Sequence, residues 1–527
     1  MPMQNDDELN RKWKSTCRTL LGEEVGELED FKTWLVDSRP QPIKAISSCS
    51  GKPVYFSDAN YSKKARWMSF SEVNSAKLSI NEIKDLDSIL QAVSENVIYS
   101  GDIILGDCSG ISESTTVFNS HFIQNSQWLS ESKYVAYSTM CVLGDCIFGS
   151  HWVSGSHQIR ANSFLSTRCF EVVKVDYSSD CYYSHGLSAC HDCLFSFNLK
   201  NKRYTIGNLQ LPPDKYAKIK EKLLSEIRGE LVKNKKLPHI YDLFNETPPN
   251  HSRMHDVFRS IPASTVKKPD LAQLEEAFRR TTQIIFGVPL WGISKYSPWL
   301  SKNIPGFEEG KSSASKKPLL VSDYGDFLLM PRERMLNDNE AEWIGEKLAI
   351  DENEVNKLSL KNAPHLLNEI AYFNPEWQVG QLSNNVECPV SIDSSDSYRT
   401  IIGVFSKKCA LGRWPREAEF IFGFHRMRNS SFCIRCFHSE NLSRCFEVSE
   451  GRNCTDCLYC HNVENVHDSM FCFNTKNKRN AIGNVELPRK KYLDIKKMVL
   501  AELNRELNET DSISLTIFNL PERLNEE

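Results

Sequence analysis

The chain has 527 residues, 40% hydrophobic and 25% charged, with a formal net charge of -4. That length exceeds one ordinary core and predicts two or more domains, and the slightly acidic balance excludes a general attraction to nucleic acid or anionic membrane. Met1 to Arg11 is polar with no apolar core, and no run reaches the roughly 18 apolar residues of a membrane span, so eighteen cysteines read as free thiols of a reducing, cytoplasmic compartment.

In chain order, Leu9, Trp13, Cys17 and Leu20 fall at spacings of three and four and predict an amphipathic helix at the head. A mixed segment with "SSCSGKPVYFSD" (Ser47 to Asp58) follows, then a Cys/Ser/Asn-rich stretch over about 105–210. "PPDKYAKIKEKLLSEIRGEL" opens on prolines and puts Tyr216, Ile219, Leu223, Ile227 and Leu231 on one face, predicting a helix over 212–235. Residues 241–265, rich in Pro, Ser and His, read as a linker. The order then begins again. Leu271, Leu274 and Phe278 mark a second helical head, and "SSASKKPLLVSD" (Ser312 to Asp323) matches the earlier segment. A second Cys-rich stretch covers about 380–485, and a helix over 488–508 carries Tyr492, Ile495, Val499, Leu503 and Leu507. Residues 511–527 read as a tail.

The chain is thus written twice. "FSFNLKNKRYTIGNLQLP" (Phe195 to Pro212) returns as "FCFNTKNKRNAIGNVELP" (Phe471 to Pro488), and "RCFEV" at Arg168 returns at Arg444. No gap separates these anchors, and about half of the aligned positions are identical. Two homologous units, 1–240 and 266–510, are expected, paired as a pseudo-dimer within one chain.

Within the Cys-rich stretches, Cys433, Cys436, Cys445, Cys454, Cys457, Cys460 and Cys472 keep a period of three, as do Cys169, Cys181, Cys190 and Cys193. Three is neither the 3.6 of a helix nor the 2 of a strand. It suits a solenoid in which one position per triplet faces a narrow core and cysteine packs as a small hydrophobe. The fold class expected is mostly β with α-helical caps (α+β), a tandem duplication of a β-solenoid-like unit. Two triplets per face and three faces per coil are the geometry anticipated. Cys-x-x-Cys spacing also suits zinc or an iron–sulfur cluster, with Cys433, Cys436, Cys454, Cys457 and Cys460 as the ligands. Ser178 and Ser184 stand where the second unit has Cys454 and Cys460, which favours packing over metal, so no cofactor is predicted.

The Cys triplets closing in "FNLKNKRYTIGN" and a Tyr-bearing helix resemble a family of microbial proteins with long C-x-x-C-x-x-C runs, a similar Asn-Leu-x-Asn-Lys-x-Tyr-x-Ile-x-Asn box and such a helix. This chain has fewer cysteines and is duplicated. The resemblance implies a fold and no activity.

Two sets of residues could carry function. His151/His425, His185/His461 and His191/His467 match between units, and hexapeptide solenoid enzymes use histidine as an acyltransferase base or a zinc ligand. His185 and His191, six apart, would stack on one face of a hexad coil, as would His461 and His467. The alternative is histidine in a polar ladder. The second set is the basic box, Lys200, Lys202 and Arg203, repeated as Lys476, Lys478 and Arg479, suited to a phosphate or an RNA backbone. Its plain alternative is a solvated turn. No phosphate loop, nucleophile elbow, dinucleotide fingerprint or His-Glu-x-x-His helix is found. The reading that follows is a non-catalytic scaffold or binding protein of a larger assembly, with protein partners and no membrane. The alternatives are a solenoid enzyme, an RNA- or ribosome-associated protein, and a zinc or iron–sulfur protein.

Overall fold

From Glu113 to Cys146 every third residue takes a left-handed backbone, with φ between 43° and 61°. The series resumes from Leu165 to Tyr204, and from Asp456 to Asn480 in the second half. Such a conformation costs a side-chain-bearing residue on the order of 1–3 kcal/mol, so the surroundings must impose it. Here a parallel ladder does. Lys133 pairs with Asp145, Thr139 with His151, Cys169 with Cys181 and Cys181 with Cys193, and Phe446 pairs with Leu458. Ladder partners stand twelve residues apart, so four triplets and four left-handed corners separate them. The six triplets anticipated from the sequence are too many.

The corners explain the small residues. Ser126 N donates to Ser114 Oγ, Ser138 N to Ser126 Oγ and Ser150 N to Ser138 Oγ, each across one register step. Each hydroxyl in turn donates to the carbonyl two residues back, as Ser126 Oγ does to Gln124 O. A buried corner N–H that the strand ladder does not reach is thereby satisfied. Cysteine occupies the same positions with the same donation: Ser184 Oγ bonds Tyr182 O, and its counterpart Cys460 Sγ bonds Leu458 O.

The computed structural model describes residues 2–37, 39–72, 83–261, 270–323, 325–412, 421–427, 433–439, 444–449 and 454–523. The chain is mixed α and β rather than mostly β. Its larger sheets have sixteen and eight strands, and no described sheet closes into a barrel. No described helix is long and apolar enough to cross a membrane.

The helices flank the stacks as well as ending them. Pro2–Leu21 lies across six strands of the first sheet and buries Leu9, Trp13, Cys17 and Leu20. Pro213–Asn234 packs on that helix and on the strand Arg203–Ile206. Arg489–Thr510 buries Tyr492, Ile495, Val499, Leu503 and Leu507 in the second half.

The middle segments are exchanged between the halves. Tyr61, Trp67, Ile89 and Tyr99 share a core with Phe446, Leu458 and Phe473. Leu319, Phe327, Ile344 and Phe373 share one with Phe170, Tyr182 and Phe197. Where the sequence suggested a slack linker, Tyr241, Leu243, Phe244 and Met254 are buried and two short helices form, Asp242–Asn245 and Ser252–Phe258. Residues 262–265 of that stretch lie outside the described residues. The tail is docked in the same way, burying Ile513, Leu515, Ile517, Phe518 and Leu520.

Candidate functional site

His185 and His461 are fully buried, and each receives a main-chain N–H from the exchanged segment of the other half. Asn374 N donates to His185 Nε2 at 2.9 Å, and Ser100 N donates to His461 Nε2 at 2.8 Å. An accepting Nε2 requires a neutral ring, which leaves Nδ1 of His185 to donate to Tyr241 Oη, 3.1 Å away. Burial, with the Lys174 charge nearby, holds the His185 pKa well below the ordinary histidine value.

His191 and His467 are half-buried and stand elsewhere. His191 is in register with Ser179 and Arg203, whereas His185 is in register with Val173 and Phe197. With a twelve-residue register, residues six apart fall in different ladders, so His185 and His191 do not stack on one face. Nor do His461, in register with Phe473, and His467, in register with Arg479. His151 is also buried, its ring against Gly325, where an added Cβ would approach it to 3.0 Å. The side chain of His425 lies outside the described residues.

The basic boxes are built into the ladders rather than forming free turns. Lys476 is in register with Glu464 and salt-bridged to it at 2.6 Å. Lys200 reaches across to Glu342 of the other half, also at 2.6 Å. Arg203 and Arg479 are exposed, Lys202 and Lys478 are half-buried, and none of the four makes an ion pair with a described residue.

The candidate metal ligands Cys433, Cys454, Cys457 and Cys460 are wholly buried. Cys454 Sγ donates to Val463 O and Cys457 Sγ to Val466 O, each nine residues on. Burial pushes the Cys445 and Cys460 thiols up, away from the thiolate a metal requires. Among the described residues no group of three or more His, Cys, Asp or Glu is arranged to hold a metal ion. The side chain of Cys436 lies outside them.

Sequence reasoning missed two features. One is a pair of buried ion pairs, Arg160–Glu171 and Arg435–Glu447, whose guanidinium groups also donate to the carbonyls of Trp34 and Trp299. In the second half Ile517 N completes the shell of Glu447. In the first, Arg39 and Asp326 form a further buried pair with His239 beside it. The partial signal was the matched Glu447, which falls in the polar third of the triplets yet points inward.

The other feature is a cleft of about 250 Å³ where the first stack meets the helix Asp338–Lys347 and the strand Trp377–Val379. Lys174 pairs with Asp338 at 3.2 Å, and Asn374 Nδ2 donates to the same carboxylate at 2.7 Å. Asp176 accepts from Ser188 and Trp377. Burial raises the Asp176 carboxyl above the ordinary range. Burial also acts to raise Asp338, but Lys174 and Asn374 outweigh it and hold that carboxyl low. Lys200 and Glu342 form one wall, so one member of the basic box belongs to this cleft. Two carboxylates pushed in opposite directions, with two lysines, make it the most polar enclosed surface described.

No family model matches the chain, and neither a curated protein nor a solved structure matches it.

Proposed function

We propose that the chain is a tandem duplication of a β-solenoid unit with four triplets per coil, folded as an intramolecular pseudo-dimer, and that it serves as a non-catalytic binding protein or scaffold within a larger assembly. The twelve-residue register and the serine steps support the solenoid. The matched ion pairs Arg160–Glu171 and Arg435–Glu447 support the duplication. The observation that carries the functional reading is the fate of the matched histidines. His185 and His461 are spent on main-chain groups of the opposite half, which is the use expected of a structural clamp and not of a proton-transferring base. The free thiols of the described cysteines suit a reducing compartment.

The binding surface in this reading is the pair of exposed box residues, Arg203 and Arg479, with Lys202 and Lys478 beside them. Positive spots on an acidic chain favour a defined anionic partner over general adhesion. The test is affinity capture from native lysate at low and high salt, with and without ribonuclease, using wild type and the quadruple variant K202A/R203A/K478A/R479A. A stoichiometric partner released by salt and lost in the folded quadruple variant supports the reading. Loss on ribonuclease treatment assigns RNA, and retention assigns an anionic protein surface. A partner held equally by the variant, or none at all, overturns it.

A further inference from the structure

The two halves treat one position differently. Gly186 in the first aligns with Asn462 in the second, and Asn198 aligns with Asn474. In the second half the Asn462 carboxamide donates to Asn474 Oδ1 at 2.9 Å and to Ser100 Oγ at 3.1 Å, filling the space between them. In the first half Gly186 has no side chain, and Asn198 Oδ1 takes no hydrogen bond from a described residue, although Asn198 Nδ2 is bonded to Tyr372 O. Gly186 and Asn198 both line the seam cleft. One half therefore closes this place with its own N–H donor, and the other leaves the acceptor facing a cavity.

What the cavity accepts follows from its walls. An N–H donor is wanted at Asn198 Oδ1, and the Asp338 carboxylate, with Oδ2 unbonded among the described residues and its side chain 38% exposed, favours a cationic one. At the rim stands Lys200, held only by Glu342 in a half-exposed pair, which is worth roughly 0–1 kcal/mol and is readily exchanged for another carboxylate. We propose that this cleft binds a small zwitterion, with its primary ammonium between Asn198 and Asp338 and its carboxylate on Lys200. Asp338 and Glu342 are four residues apart on one helix, about 5–6 Å between Cβ atoms, so an ω-amino acid spans the cleft better than glycine. This goes beyond the scaffold reading and does not rest on it.

The test is calorimetric titration of the full chain with glycine, β-alanine, 4-aminobutyrate and 6-aminohexanoate, and with butylamine and butyrate as single-charge controls. At least one of the longer zwitterions is expected to bind, with each control at least tenfold weaker. Gly186→Asn, which copies the second half at a left-handed position that Asn462 already occupies, is expected to abolish binding. Two surface variants give opposite signs without touching the core. Lys200→Gln should weaken binding at least fivefold, and Glu342→Gln, by freeing Lys200, should tighten it. No binding by any zwitterion at millimolar concentration overturns the proposal. So does equal binding of a single-charge control, or binding that Lys200→Gln and Glu342→Gln leave unchanged.

Discussion

The imidazole of His185 accepts a hydrogen bond from the main-chain N–H of Asn374, 189 residues further along the chain, at 2.9 Å. Its counterpart His461 does the same for Ser100 in the reverse direction. Each half thus holds the other's exchanged segment through one buried, neutral ring.

Replacing His185 by Leu leaves the Asn374 N–H and the Tyr241 hydroxyl without their partner in the core. A buried unsatisfied group costs about 1–3 kcal/mol, so a loss of about 2–4 kcal/mol in urea unfolding is expected for the two. A change below 0.5 kcal/mol would deny the clamp.

The same ring sets a pH dependence. The folded His185 pKa lies well below its unfolded value near 6.5. Below that pH the unfolded chain binds a proton that the folded chain refuses, so stability falls as the medium is acidified from pH 7 to 5. The limiting slope is about 1.4 kcal/mol per pH unit for each such group. Urea midpoints at pH 7.5 and 5.5 should show a smaller acid loss in His185→Leu than in wild type.

Cys454→Ser and Cys460→Ser should each cost less than about 1.5 kcal/mol, because serine holds the matching places in the first half and makes the same bond to the carbonyl two residues back. Ser178→Ala should cost more, since Cys190 N then loses its acceptor. Thermal melts, with zinc and iron assayed on each preparation, check both points. Metal lost on the serine changes would reassign these thiols as ligands.

Arg160→Met leaves Glu171 buried without its guanidinium and is expected to destabilise by about 3–5 kcal/mol. Adding Glu171→Leu removes the stranded charge and should recover more than half of that loss. A double-mutant cycle with no coupling would mean that the pair is incidental.

Much of the local structure was legible in the residues. The faces of Leu9–Leu20 and Tyr216–Leu231 emerged from spacing, because a helix repeats its environment every 3.6 residues and burial selects apolar side chains there. The period of three was legible too, because every left-handed corner imposes the same small, hydrogen-bonding inward position whether serine or cysteine fills it. The register was not. Periodicity says how often the chain turns, but ladder pairing decides how many turns bring it back, and that moved His185 and His191 into separate ladders. The docked residues Tyr241 to Met254 and Ile513 to Leu520 were misjudged because scattered apolar side chains among polar ones have no local signature. The bonds from Asn374 to His185 and from Ser100 to His461, and the cleft left open at Gly186, were decided by tertiary structure alone. A main-chain N–H is the same group in every residue, so no sequence pattern can announce which distant ring it will meet.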